Sequence, residues 1–465
     1  MQPIPAKMLL AGLAEAGSVG NETITAVVTD SRAVCPGCVF VCFPGQRVDG
    51  HDFAAKAVQK GAAYVVANHP VEGVPERKLV LCASSHHAMV RMAANYRMLF
   101  HPQMIGVTGS VGKTTTKEFC YAILSAFGTA IKTEGNQNNE IGVPNTLFRL
   151  TSDTEYAVVE MGMSALGEIE RLSRAARPSA GLITCIGVSH MESLGSRENI
   201  LKAKLEICTG LPDGAPLALN ADDEYLQMAR REGMIPGRLR PVWYGIEAPD
   251  ADVRAVDVKA LPDGMAFTLQ DREYGSFAVT IPALGRHSVY DALAAYAAAS
   301  RLGLDAARCA KALADYQTTG MRQKVVENGG RIFIEDCYNA SPDSMRASLT
   351  MFRQYPCKGR KFALLGDMLE LGAIEEEAHR QVGRWAAESG LIHLVTLGTA
   401  SRFAADEAEK VGLAVTRCQT HEQAAQVLAE LMIPGDALLA KASRGMQLEK
   451  VLQALYTGEQ KQSNN

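Results

Sequence analysis

No stretch of the 465 residues approaches the roughly 20 consecutive apolar positions that a membrane-spanning helix requires. The opening MQPIPAKMLLAGLAEAG lacks the basic flank and long apolar centre of a secretion signal, so a cytoplasmic protein is expected. An excess of either charge is also missing, with 47 Lys and Arg against 51 Asp and Glu and a formal net charge of -4. Nucleic acid and anionic membrane surfaces select dense basic faces, so neither is expected as the main partner and small-molecule chemistry is favoured. No internal repeat recurs at a fixed period, and the first hundred residues carry no GxGxxG fingerprint of a dinucleotide site. CPGC at Cys35 to Cys38 has no second ligand pair, so it reads as a turn carrying two thiols rather than a zinc or redox centre. The eleven cysteines are expected as reduced, mostly buried thiols.

A chain of this length is too long for one core, and its grammar divides into three units, 1–100, 101–317 and 318–465. In the first, VFVCFPG, FAAKAVQKGA, AYVVANHP and LVLCASS read as strand, helix, strand and strand. From Pro102 the alternation becomes regular: MIGVTG, EYAVVEMG and AGLITCIGVS as strands, KTTTKEFCYAILSAF and GEIERLSRAA as helices. Elements of this length imply right-handed crossovers and a parallel sheet with helices on both faces, whose ligands sit at the carboxyl ends of the strands. Residues 236–282 read as short strands and turns, and IPALGRHSVYDALAAYAAASRLGL as a long helix. The third unit alternates again through RIFIEDCYNASPDSM, KFALLGDMLELG, LVTLG and ALLAKASRGM, and the final EQKQSNN is expected to be disordered.

The chemistry centres on GVTGSVGKTTTKEF, residues 106–119. A standard P-loop carries glycine where this chain has Val107; here the glycines fall at Gly106, Gly109 and Gly112. The physical requirements survive: a strand feeds a turn able to aim N–H groups inward, a helix adds its positive end, Lys113 supplies a mobile charge and Thr114 a hydroxyl for magnesium. If the next two strands run parallel to this one, Glu160 and His190 emerge on the same edge. Glu160 offers the hard oxygens magnesium prefers; His190 is more at home with softer metals. Alone, each reads equally well as a helix-capping carboxylate and a loop histidine. In ENILKAKLEICTGL the helical period groups Leu201, Lys204, Leu205 and Cys208 and turns Lys202 away, so Lys204 is expected to be half buried. It is then either a snorkelling lysine or an amine made less basic, open to carbamylation or proton transfer.

With these residues assembled, the chain resembles the Mur ligases, the cytoplasmic family that builds the peptidoglycan stem peptide with ATP, over essentially its full length. The family's loop takes the form TGSxGKT, which accounts for the departure from the standard spacing. The resemblance implies nucleotide contacts from Thr108, Gly109, Ser110, Val111, Gly112, Lys113, Thr114 and Thr115. It also implies magnesium ligation by Thr114, Glu160 and His190, with a carbamylated Lys204 at the metal. TDSRAVCPGCVFVCFPGQRVDGHDF is similar to the family's uridine-nucleotide segment, implying substrate contacts at Ser31, Arg32 and Gly45. GNQNNEIGVPNTL and LLGDMLELG resemble signatures of the member that adds the terminal dipeptide, implying substrate contacts at Asn138 and Asn139; the DNPR of the diaminopimelate-adding relative is missing. Asp336, Tyr338 and Asn339 match a third-domain motif that meets the nucleotide, and Arg322 matches a hinge arginine near the γ-phosphate. Catalytic roles are implied for Lys113, Lys204, His190 and Arg322.

Two departures stand out. The family's GxHNxxN reads GRHSVYD, so Ser288 and Asp291 replace asparagines that approach adenine, and KGSR reads KASR, with Ala442 for glycine. The implied fold is three α/β domains: a substrate-binding one, a central parallel-sheet P-loop ATPase-like one, and a Rossmann-like one that closes over ATP and brings the dipeptide. The implied reaction joins D-alanyl-D-alanine to a UDP-N-acetylmuramoyl-tripeptide through an acyl phosphate, by a monomer with Gln317 to Met321 as hinge. The rival readings are a folylpolyglutamate-type ligase, against which the long segment before the loop counts, and an ATP-binding scaffold without turnover.

Overall fold

The computed structural model describes residues 1–13, 19–45 and 48–462, without the side chains of 458–462. The first unit builds a four-stranded parallel sheet in the order Ala26–Val28, Cys38–Val41, Tyr64–Ala67, Leu79–Leu81. Among the elements that went unread in the sequence are the strand Ala26–Val28 and the helix Ser85–Arg97, whose N-cap Ser84 accepts from His87 N–H. That helix buries Met89, Met92, Ala93 and Tyr96 and packs on the central unit through helices Gly142–Leu147 and Glu168–Ala176.

The central sheet has nine strands. Within it the strand Gln103–Thr108 is flanked in parallel by Tyr156–Glu160 and Ala180–Ile183, the pattern the alternating elements predict. The register sets Val107 opposite Glu160 and Thr108 opposite Ile183, so all three strands end level at one edge. The loop helix Lys113–Ser125 lies on this sheet with Phe119, Cys120, Ile123 and Leu124 fully buried. Each such large apolar side chain stabilises the fold by about 1.5–3 kcal/mol relative to exposure. The alanine-rich helix Arg286–Ser300 packs beside it, its small side chains permitting close approach.

The short strands expected in 236–282 are instead long: Val253–Leu261, Gly264–Asp271 and Gly275–Ile281 extend the same sheet as an antiparallel meander. The alternation was masked by an irregularity between Val256 and Lys259, where Asp257 adopts φ 53 and slips the two-residue period.

The third unit is a six-stranded sheet in the order Lys324–Asn328, Arg331–Glu335, Ala437–Lys441, Lys361–Gly366, His393–Leu397, Ala414–Cys418. Only the first pair is antiparallel. The expected disorder of EQKQSNN is corrected for its first four residues, which continue the helix Glu449–Gln462 anchored by buried Val451, Leu452 and Leu455; 463–465 lie outside the described residues.

Candidate active site

The strand Gln103–Thr108 ends in a turn that only glycine makes comfortably. Gly109 has φ 144 and a Cβ there would overlap the Thr184 hydroxyl; Gly112 has φ 84 and a Cβ would meet Asp291 Oδ1. Gly112 is the N-cap of the loop helix, and no side chain caps the helix's first N–H groups. They and the helix dipole therefore remain available to an anion. Thr108 is buried with its hydroxyl donating to Met161 O (2.8 Å). Lys113 Nζ donates back to Gly109 O (2.8 Å) and Ser110 O (3.2 Å). Burial lowers the basicity of this ammonium, and Glu160 pulls it the other way. Ser110 Oγ is buried without a hydrogen-bond partner.

Glu160, 1% exposed, is held on all sides. Its Oε2 accepts from Thr114 Oγ1 (3.0 Å), its Oε1 from Asn138 Nδ2 (2.7 Å), and its own N–H donates to Thr133 Oγ1 (3.0 Å). His190 caps the short helix Met191–Leu194 at φ 64, with Nδ1 3.3 Å from Glu370 Oε2. Burial, and then the charges of Lys204 and Lys113, push its pKa down to about 4, leaving a neutral imidazole with a lone pair to offer. The contact to Glu370 is thus a polar one rather than an ion pair.

Lys204 is more deeply placed than the half-burial expected: 1% exposed, with no hydrogen-bond partner for Nζ. Its helix Arg197–Leu205 also buries Ile200, Leu201 and Ala203, leaving Leu205 half buried and Lys202 exposed. Burial, then the charge of Lys113, holds its pKa well below the usual lysine range, which disfavours the ammonium form.

These groups surround a cavity of about 1120 Å³ at the sheet edge. Ser110 to Thr115, Asn138, Asn139, Glu160 and His190 form one wall. The opposite wall comes from the third sheet and its approach: Arg322, Asp336, Tyr338, Asn339 and Lys441. Arg322 lies over the Tyr338 ring, 4.1 Å from its centroid. Asp336 accepts from Lys441 Nζ (2.7 Å) and Ser348 Oγ (2.5 Å). Thr108, Gly109 and Lys204 are not among its lining residues.

Ser288 and Asp291 also line the cavity but are turned to the protein: Ser288 Oγ donates to Leu284 O (2.8 Å) and Asp291 Oδ1 accepts from Thr116 Oγ1 (3.0 Å). Burial pushes the Asp291 carboxyl up to about 7. Ser31, Arg32 and Gly45 are not brought to this cavity; they sit on the first sheet's loops, where Arg32 pairs with Asp30 and Ser31 O accepts from Lys60 Nζ. Sequence reasoning missed Lys117, which is fully buried against Glu118 and Glu160. Its one signal was a spacing of four from Lys113, which puts both on one helix face.

The donor set suits a divalent ion. Thr114 and Glu160 present hard oxygens side by side, while among the described residues no cluster of three or more His, Cys, Asp or Glu could cage a metal unaided. Such a pair matches magnesium shared with phosphate oxygens and water. The buried Lys204 Nζ, without a hydrogen-bond partner, fits a group that would bring its own acceptors and charge.

The Mur ligase middle domain matches residues 107–299, the Mur ligase glutamate ligase domain 321–444, and the Mur ligase family catalytic domain 23–97. The chain is 38% identical to a UDP-N-acetylmuramoyl-tripeptide--D-alanyl-D-alanine ligase of Bacillus subtilis, over 94% of each chain. It superposes on a crystal structure of MurF from Acinetobacter baumannii with a TM-score of 0.89 at 29% identity, covering 98% of this chain and 99% of the other. The MurF ligase of Thermotoga maritima in complex with ADP matches with a TM-score of 0.82 at 28% identity, over 94% and 98%. Three matched domains and near-complete coverage at this identity leave one assignment: the chain belongs to the Mur ligase family.

Proposed function

We propose that this protein is the ATP-dependent, ADP-forming ligase that adds D-alanyl-D-alanine to UDP-N-acetylmuramoyl-tripeptide in peptidoglycan precursor synthesis. The observation that carries the reading is the single cavity walled on one side by the loop, Thr114 and Glu160 and on the other by Arg322, Asp336 and Tyr338. The near-full-length likeness to named D-alanyl-D-alanine ligases supports the substrate pair.

The reaction has two displacements. The terminal carboxylate of the tripeptide attacks the γ-phosphorus; a C–O–P link forms, the bond to the β-phosphate oxygen breaks and ADP leaves. The dipeptide amine then attacks the acyl carbon; a C–N bond forms, the C–O bond breaks, phosphate leaves and the amine sheds a proton. Loop N–H groups, Lys113 and Arg322 oppose charge that grows on the transferring phosphoryl oxygens, the main route by which proteins accelerate such steps. Magnesium, held by Thr114, Glu160 and His190, would supply further charge neutralisation. Lys204, whose buried Nζ has no hydrogen-bond partner, would carry the carbamate. Residues 1–100 would hold the uridine nucleotide through Ser31, Arg32 and Gly45, and Asn138 and Asn139 would face the peptide. Residues 101–317 would hold ATP. Closure of 318–465 would bring the dipeptide and exclude water from the acyl phosphate.

Phosphate release with ATP, magnesium, the UDP-muramoyl tripeptide and a panel of amines tests this. Release is expected only with D-alanyl-D-alanine; release with glutamate and a folate instead would transfer the assignment to a folylpolyglutamate-type enzyme.

A further inference from the structure

Lys117 sits one turn beyond Lys113 on the loop helix, is 0% exposed, and is not among the residues lining the cavity. A buried ammonium costs several kcal/mol unless it is well partnered, and the partners here belong to different segments. Lys117 Nζ donates to Gly135 O (2.8 Å), lies 3.2 Å from Glu118 Oε1 and 3.8 Å from Glu160 Oε2. Glu118 keeps a second cation in Lys132, so it does not need Lys117 for charge balance. Gly135 opens the segment that carries Asn138, and Asn138 returns to Glu160 through its amide. The loop helix, the 135–139 segment and the end of the Glu160 strand are therefore closed into one ring: Lys117 to Gly135, Asn138 to Glu160, and Glu160 back to Thr114 and Lys117.

We infer that Lys117 is a positioning residue that couples the nucleotide loop to the 135–139 segment, so that occupancy of the nucleotide site changes affinity for the UDP-linked substrate and the reverse. This rests on the proposed function, in which the loop takes ATP and Asn138 and Asn139 face the muramoyl peptide. A ligand that draws Glu160 toward Thr114 pulls on Asn138 and on the Lys117–Gly135 tether in the same movement. A substrate that seats Asn138 pulls on Glu160. Coupling of this kind is reciprocal and typically about 5- to 150-fold.

Titration calorimetry of the full chain with magnesium and ADP, with and without saturating UDP-muramoyl tripeptide, tests the inference without turnover. In the parent protein the tripeptide is expected to shift the ADP affinity by at least about 5-fold. In Lys117→Met each ligand still binds alone while the shift falls below about 2-fold, and Lys117→Arg restores most of it. If Lys117→Met does not fold, as judged by circular dichroism, Lys117→Leu, which likewise removes the donor to Gly135 O, is read by the same criterion. A full shift in the charge-free variant, complete loss of ADP binding by it, or no shift in the parent protein overturns the inference while leaving the proposed function standing. Failure of the parent protein to bind either ligand overturns both.

Discussion

Asp291 is a carboxyl placed where charge is costly. Enclosed between Gly112, Thr116 and the Arg286–Ser300 helix, it ionises at about 7 rather than its ordinary 3.8, chiefly because burial penalises the anion. Between those two values the folded protein keeps a proton that the unfolded chain has lost, so stability falls as pH rises from about 4 to about 7 and levels off above. The full penalty is on the order of 4 kcal/mol at most. Asp291→Asn, which preserves an acceptor for Thr116, should therefore raise the melting temperature more at pH 8 than at pH 5.5. An equal rise at both values would contradict the assignment of the penalty to ionisation. Lys204 poses the opposite case, a base whose protonation burial disfavours. Lys204→Ala is expected to lose activity and regain part of it with added short carboxylic acids, measured as phosphate release. Absence of recovery would count against a carbamate at that position.

At the level of elements, one departure from the family's pattern is accommodated by a neighbouring glycine. Ala442 is fully buried just past the strand Ala437–Lys441, and a Cβ added at Gly366 on the neighbouring strand would come within 2.7 Å of the Ala442 methyl. The methyl gained at one position thus occupies room that a glycine leaves at the other. Gly366→Ala should cost about 1–3 kcal/mol, and adding Ala442→Gly should return about 0.5–3 kcal/mol of it. A double variant no more stable than Gly366→Ala alone, by thermal unfolding, would refute the pairing.

The same scale explains what could be read from the sequence. The loop was legible because its chemistry lies within ten consecutive residues, and Glu160 because a strand's last residue points to the ligand edge once parallel pairing is granted. The meander was misread because the shift at Asp257 breaks the alternation that marks strands. Lys117 and the Gly366–Ala442 fit were invisible for another reason: each depends on a contact between segments that no local period encodes. Lys204 was placed on the right helix face, yet its complete burial came from packing that the helix alone does not reveal.

Across the whole molecule, the Thr114 wall and the Asp336 wall belong to different sheets that meet through few polar contacts. Val188 N–H donates to Asp343 Oδ2 (3.3 Å), and His190 approaches Glu370. Gly320 at φ 64 and Gln323 at φ 54 lie on the connection between the units, backbone states that suit a pivot. Small-angle scattering should show a smaller radius of gyration with a non-hydrolysable ATP analogue, the UDP-tripeptide and the dipeptide together than with none. An unchanged radius would rule out closure as the means of assembling the site. A divided cavity would also have an economic side for the cell: on the proposed reading, a central unit alone would hold a nucleotide without Arg322, Asp336 and Tyr338 beside it. Idle hydrolysis would thereby be disfavoured until every reactant has arrived.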